Sequence, residues 1–179
     1  MGGAVVFYAA MLGIALGWGA LRGDVNVFVL PAESLGGTLD LPWRVGLGIG
    51  VGSLAVVAAR LISRFPWARR LNAEFRRLLG PLSLAQVTVL AVFSAVAEES
   101  FFRGAMQPDL GLVPTSLIFG LLHVGPGRAF WPWTLSALAA GFALGAVTHY
   151  TGDLLAATLA HFTVNYFNLG RIAQGDLAG

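Results

Sequence analysis

Long apolar runs separated by short polar stretches set the pattern of this chain. Most runs approach the roughly 20 residues that a helix needs to cross a bilayer core. The first covers residues 4–21, with Gly13 and Gly17 at the small-xxx-small spacing that lets helices approach closely. A connection over 22–43 follows, holding Pro31, Gly36, Gly37 and Pro42; its apolar middle, 25–30, reads equally as an interfacial segment or a surface loop. The second run, 44–62, carries Gly46, Gly48, Gly50 and Gly52, which predict one smooth packing face. A nucleotide-binding reading of these glycines fails, because no strand precedes them and no Lys-Ser/Thr follows. The third run starts near Pro81-Leu82-Ser83, with Ser83 as the cap, and continues to about Met106. A fourth apolar segment, 112–124, spans about 20 Å at ~1.5 Å per residue, short of the ~30 Å core. Gly125-Pro126-Gly127 stops it. The fifth run, 132–150, has Gly141 and Gly145 for close packing. The sixth follows a cap at Asp153 and ends near 169, leaving a polar tail, 170–179, that is expected to fray. The pattern predicts an all-α polytopic membrane helix bundle of about six spans with a short broken fourth helix, in one domain over 1–179.

Composition agrees with this pattern. Of 179 residues, 56% are hydrophobic and 11% charged, with a mean hydropathy of +0.75; a soluble domain carries about 25% charged residues. The net charge of +2 comes from arginine alone, since there is no lysine. Six of the eleven arginines (Arg60, Arg64, Arg69, Arg70, Arg76 and Arg77) fall within eighteen residues, with Trp67 and Phe75 among them. That density marks a cytoplasmic loop and suits an amphipathic helix over anionic headgroups, so it reads as a topology anchor and lipid contact, not a nucleic-acid site. With that loop inside, six spans put both termini and the Arg128 loop in the cytoplasm. No charged stretch precedes the first run, which therefore reads as a retained span. The absence of cysteine excludes disulfides and thiolate chemistry. Phe130, Trp131 and Trp133 resemble an interfacial aromatic belt, and His149 a polar cap.

Within this apolar background a few ionisable groups stand out. Glu98, Glu99 and Arg103 lie inside the third run, where charges are costly and mark functional sites by default. Glu99 and Arg103 are four apart and can pair on one helix face, whereas Glu98 points about 100° away, free to face a cavity. His123 sits beside the Gly-Pro-Gly break. His161 and Asn165 share a face of the sixth run, and Asn168 extends it. Burying a carboxylate and two histidines on three helices without a shared purpose costs several kcal/mol, so they predict one site. Two chemistries remain open. Glu98 could act as general base on water, with the histidines and the Asn165 amide orienting it or donating to an oxyanion. Alternatively Glu98, His123 and His161 could hold zinc, although the His-Glu-x-x-His arrangement is absent. The helix limits put Glu98 nearer the outer half of the membrane and His123 nearer the inner half.

The three motifs Glu98-Glu99-xxx-Arg103, Phe119-xxx-His123 and His161-xxx-Asn165, in that order on apolar segments, resemble those of the CPBP family. These are the CaaX-protease and bacteriocin-processing (Abi) intramembrane proteases, relatives of the Ras-converting CaaX endopeptidase. The resembling region, about 82–169, covers half the chain and would be the catalytic core. The resemblance implies Glu98 as the water-activating base, Glu99 with Arg103 as supports, and His123 as a second catalytic or water-positioning group. It implies His161 and Asn165 as oxyanion or water ligands. It favours a glutamic-type mechanism without cofactor over a zinc-dependent one. It also implies a bacterial inner-membrane location and a peptide or protein substrate with a membrane-associated segment. The short chain is similar to compact bacterial members, which are associated with peptide maturation, immunity or the trimming of C-terminal tails; no residue speaks to prenyl recognition. Two other classes compete. A small proton-coupled transporter would use the same groups, but no inverted repeat is visible; a non-catalytic scaffold would not need the intact polar set.

Overall fold

The computed structural model describes residues 1–24, 26–30 and 39–174. In chain order the helices are α1 (Gly2–Arg22), α2 (Leu41–Ile62), α3 (Pro66–Leu79), α4 (Leu84–Leu110), α5 (Leu112–Leu122), α6 (Trp131–Thr151) and α7 (Leu155–Gln174). A single 3-10 turn, Arg128–Phe130, leads into α6. Among the described residues α1, α2, α4 and α6 are long and apolar enough to cross a membrane, as befits an integral membrane protein. The six expected spans thus resolve into these four, the 11-residue α5, and α7. α7 has the length of a span, but His161, Asn165 and Asn168 make it more polar than the other four. The expectations for Val25, Pro31, Gly36 and Gly37, and for the tail beyond Gln174, lie outside the described residues; Gly170 to Gln174, where fraying is expected, continue the helix.

Local chemistry sets most of the helix ends. Ser83 forms a full capping box with Gln86: its hydroxyl accepts from the Gln86 amide, and its own amide donates to Gln86 Oε1 at 2.8 Å. Gly111, at φ 83°, separates α4 from α5, a backbone state that favours glycine. Asp153 Oδ1 accepts from the Leu155 amide at 3.0 Å and so caps α7. α4 is not a uniform helix: just after the paired glutamates it widens into a π-helical stretch over Ser100–Met106, a distortion frequent at functional sites.

The helices pack around α7, which lies against α2, α4 and α6, while α5 pairs with α6 and α1 with α4. Close approach depends on particular glycines. A methyl group on Gly48 would lie 2.6 Å from the Ala156 carbonyl, and one on Gly52 would lie 2.7 Å from Thr163 Cβ, so these two seat α2 on α7. Gly46 and Gly50 have nothing within 4 Å of such a methyl; two glycines, not the expected four, make the face, because residues two apart point to opposite sides of a helix. Gly13 and Gly17 likewise meet no neighbour, so their spacing builds no contact among the described residues. Gly141 and Gly145 do sit at contacts, against Ser116 and against Leu112 and Gln107.

Polar ties fix both ends of the bundle. At one end Arg22 donates to the Ala105 and Gly104 carbonyls at 2.7 and 2.9 Å and pairs with Asp24 and Asp109, binding α1 to the widened turn of α4. Arg44, at the start of α2, pairs with Asp153, before α7. The segment between α1 and α2 is neither interfacial nor a surface loop throughout: Val27 and Leu30 are buried, and the Leu30 amide donates to Gly152 at 3.0 Å. At the other end Arg171 reaches the Ser63 hydroxyl.

The seating of α2 on α7 generates a direct expectation. Gly48→Ala overpacks a backbone contact and should lower stability in detergent by about 1–3 kcal/mol. Gly50→Ala, on the open side, should stay within ~0.5 kcal/mol of the parent; equal melting of the two variants would contradict this packing.

Candidate active site

A length match brings the polar groups together. α4 carries Glu98 twelve residues before its end at Leu110, or about 18 Å along the axis. The chain reverses at Gly111, and the eleven residues of α5 run back about 16 Å, which returns His123 to the level of Glu98. The short fourth helix is thus what removes the expected difference in depth. Thr134 Oγ1 donates to the His123 carbonyl at 2.8 Å and holds the end of α5 against α6. α7 supplies His161 from the third side.

Glu99 is the buried hub. Its Oε1 accepts from Arg103 Nη1 at 3.2 Å and from His161 Nδ1 at 2.7 Å, and the Glu99 and Arg103 side chains are 0% and 1% exposed. The expected pair is formed. Arg103 Nη2 donates onward to the Gly141 carbonyl at 3.2 Å, a backbone oxygen that a residue without a side chain leaves reachable. The guanidinium carbon also lies 4.3 Å from the Phe119 ring centre, and the same ring stands 4.3 Å from the His123 imidazole. Phe119 thereby braces both groups through cation–π and ring contacts.

Glu98, also buried, points elsewhere. Its Oε2 lies 3.5 Å from His123 Nε2 and 4.0 Å from His161 Nε2. The partners of the other ring nitrogens set the tautomers. His123 Nδ1 is 2.7 Å from the Phe119 carbonyl, which only accepts, so Nδ1 carries the hydrogen. His161 Nδ1 faces the Glu99 carboxylate and carries its hydrogen in the same way. In the neutral rings both Nε2 atoms are therefore acceptors, and they converge on a carboxylate oxygen that has no hydrogen-bond partner among the described residues. Three acceptors around one point suit a molecule that brings hydrogens, such as water.

Asn165 is brought to α4 but not to this cluster. Its amide donates to Ser94 Oγ at 2.9 Å, one turn before Glu98. Three other participants escape sequence reasoning. Ser94 is an ordinary small residue of an apolar helix. Tyr8, half-buried in α1, lies within interaction range of the Glu98 carboxylate, and a lone tyrosine in a first span reads as a belt residue. Trp133 packs 5.3 Å from the His123 ring, and Phe130 is buried, so neither is a membrane belt residue; Trp131 is exposed. His149 is exposed at the end of α6, away from the cluster. Among the described residues no group of three or more His, Cys, Asp or Glu is arranged to hold a metal ion.

Residues 80–167 match the family model described as type II CAAX prenyl endopeptidase Rce1-like. The chain is also similar to the uncharacterized protein YpbD of Bacillus subtilis (strain 168), with 34% identity over 92 residues. That alignment covers 50% of this chain and 47% of the relative, so the similarity spans about half the length of each. No solved structure matches. The matched stretch contains Glu98, Glu99, Arg103, His123, His161 and Asn165, the residues on which the resemblance to CaaX-type proteases rests. Through residues 80–167, just under half of its length, this chain is similar to the Rce1-like family.

Proposed function

We propose that this chain is an intramembrane endopeptidase that hydrolyses a peptide bond in or beside the bilayer, with Glu98 activating the water. The observation that carries this reading is the meeting of Glu98 Oε2 with the Nε2 atoms of His123 and His161. A water there donates one hydrogen to Glu98 Oε2 and the other to one of the Nε2 atoms, and presents its oxygen lone pair to a substrate carbonyl. Glu98 takes a proton as the water oxygen bonds to the carbonyl carbon. The tetrahedral carbon then loses the amine, and the proton held by Glu98 passes to the leaving nitrogen. Tyr8, within interaction range of Glu98, is the donor we assign to the developing oxyanion. Asn165 acts through Ser94 on the turn that carries Glu98, so it is a positioning residue. Glu99 and Arg103 hold His161 and the widened turn in place.

The substrate class that fits is a peptide or protein with a membrane-associated segment, since the reacting groups lie among helices long and apolar enough to span a membrane. Maturation of such a peptide, or trimming of a C-terminal tail, is the role we favour. The arginine density of α3 supports a cytoplasmic position for that helix and for both termini, in a bacterial inner membrane. A zinc-dependent variant would draw on Glu98, His123 and His161. We favour the metal-free mechanism because Glu98 Oε2 lies 3.5 and 4.0 Å from the two Nε2 atoms, and among the described residues no group of three or more His, Cys, Asp or Glu is arranged to hold a metal ion.

Glu98→Gln removes the base and keeps the shape. Cleavage of a reporter peptide should fall by about 10²–10⁴-fold while melting in detergent changes little; normal cleavage by this variant would refute the proposal. Arg103→Ala should behave differently, losing about 3–5 kcal/mol of stability because Glu99 is left buried without its cation. Extensive dialysis against a chelator should leave the cleavage rate unchanged, with no stoichiometric zinc by elemental analysis of the active sample; loss of activity restored by zinc would favour the metal-dependent mechanism.

A further inference from the structure

The basic helix α3 does more than mark topology, because it touches the wall of the site. At ~100° per residue Arg69, Arg70, Arg76 and Arg77 occupy an arc of roughly 120°, and all four are exposed. Among the described residues Glu74 is the only carboxylate paired with any of them, bonding Arg77 at 2.9 Å, while Arg69 also donates to the Arg64 carbonyl. The opposite face is packed into the protein: Ala68 is buried, and the Phe75 ring lies 5.1 Å from both Phe130 and Trp133. Trp133 in turn lies against the His123 ring. An unbroken line of ring contacts therefore runs from the charged helix to a histidine facing Glu98.

We propose that the arginine face of α3 docks on anionic lipid headgroups, and that this docking, passed through Phe75 and Trp133, sets the position of His123 and so the rate of turnover. Lipid is favoured over other polyanions by what surrounds the charge. Phe65 and Trp67 stand stacked and exposed beside the arginines, an amphipathic pairing suited to the headgroup boundary. Guanidinium groups match phosphate geometry, and the helix is tethered to a bundle that itself crosses the membrane. The control of turnover rests on the hydrolase reading above; the docking itself does not.

The test uses the full chain, parent and Arg69→Gln/Arg70→Gln/Arg76→Gln/Arg77→Gln, reconstituted in vesicles of phosphatidylcholine alone or mixed with phosphatidylglycerol. Two quantities are read: cleavage of a reporter peptide, and the rate at which diethyl pyrocarbonate modifies His123, followed by mass spectrometry. Phosphatidylglycerol should raise cleavage by the parent about fivefold or more and change the rate of His123 modification. The quadruple variant should show its phosphatidylcholine values in both vesicles. Inorganic phosphate added to phosphatidylcholine vesicles should reproduce neither effect, and if it did, lipid would not be the ligand. Equal parent behaviour in the two vesicles, or an undiminished response in the variant, overturns the proposal. If no vesicle supports cleavage but phosphatidylglycerol still alters His123 modification in the parent alone, the hydrolase reading fails and the lipid coupling stands.

Discussion

The buried ion pair between Glu99 and Arg103 is the constraint from which the rest of the site follows. Withdrawing two opposite charges from water carries a penalty of several kcal/mol per ion, offset only where every lone pair and hydrogen finds good geometry. Here the compensation is partial and spread over three helices: His161 on α7 donates to Glu99, the Gly141 carbonyl on α6 accepts from Arg103, and Phe119 on α5 covers the guanidinium, while Glu99 Oε2 and Arg103 Nε have no hydrogen-bond partner among the described residues. Each of these contacts also fixes something the cluster needs. The bond to Glu99 orients the His161 ring, and the Phe119 ring braces His123. The charged pair therefore works as a joint, and α5, α6 and α7 are held in one register around α4.

Adjacent carboxylates divide the labour because a helix turns between them. Glu99 faces inward to Arg103 and His161, while Glu98, rotated about 100°, faces the two Nε2 atoms. Directly after this pair the helix widens over Ser100–Met106, which alters the direction of every following side chain on α4. Arg22 bonds two carbonyls of that stretch, so the far end of α1 secures a distortion that begins just after the paired glutamates. Tyr8 lies on the same helix. α1, the least buried of the candidate spans, thus reaches the site twice.

How much of this can be read from sequence depends on the range of the interaction. The Ser83 cap is legible because capping is a matter of three residues. The core motifs are legible because charge in an apolar run is rare, and Glu99 to Arg103 is one helical turn. The pairing of Arg22 with Asp109 and of Arg44 with Asp153 is not legible, since the partners lie far apart in the chain and nothing local marks them. Glycine spacing misleads in α1 and half-misleads in α2, because spacing specifies a smooth face but not what meets it. Asn165 shows the same gap: its place one turn from His161 is evident, but Ser94 as its partner is not.

α5 also acts as a measuring rod. Its eleven residues match the stretch of α4 between Glu98 and the reversal at Gly111, and that equality puts an imidazole opposite a carboxylate. One residue added to or removed from α5 would slide its end by about 1.5 Å and swing His123 through about 100°, out of line with Glu98. Insertions in the surface segments would disturb neither distance. The surface segments of this scaffold can thus change in length without moving the cluster, whereas its shortest apolar helix cannot.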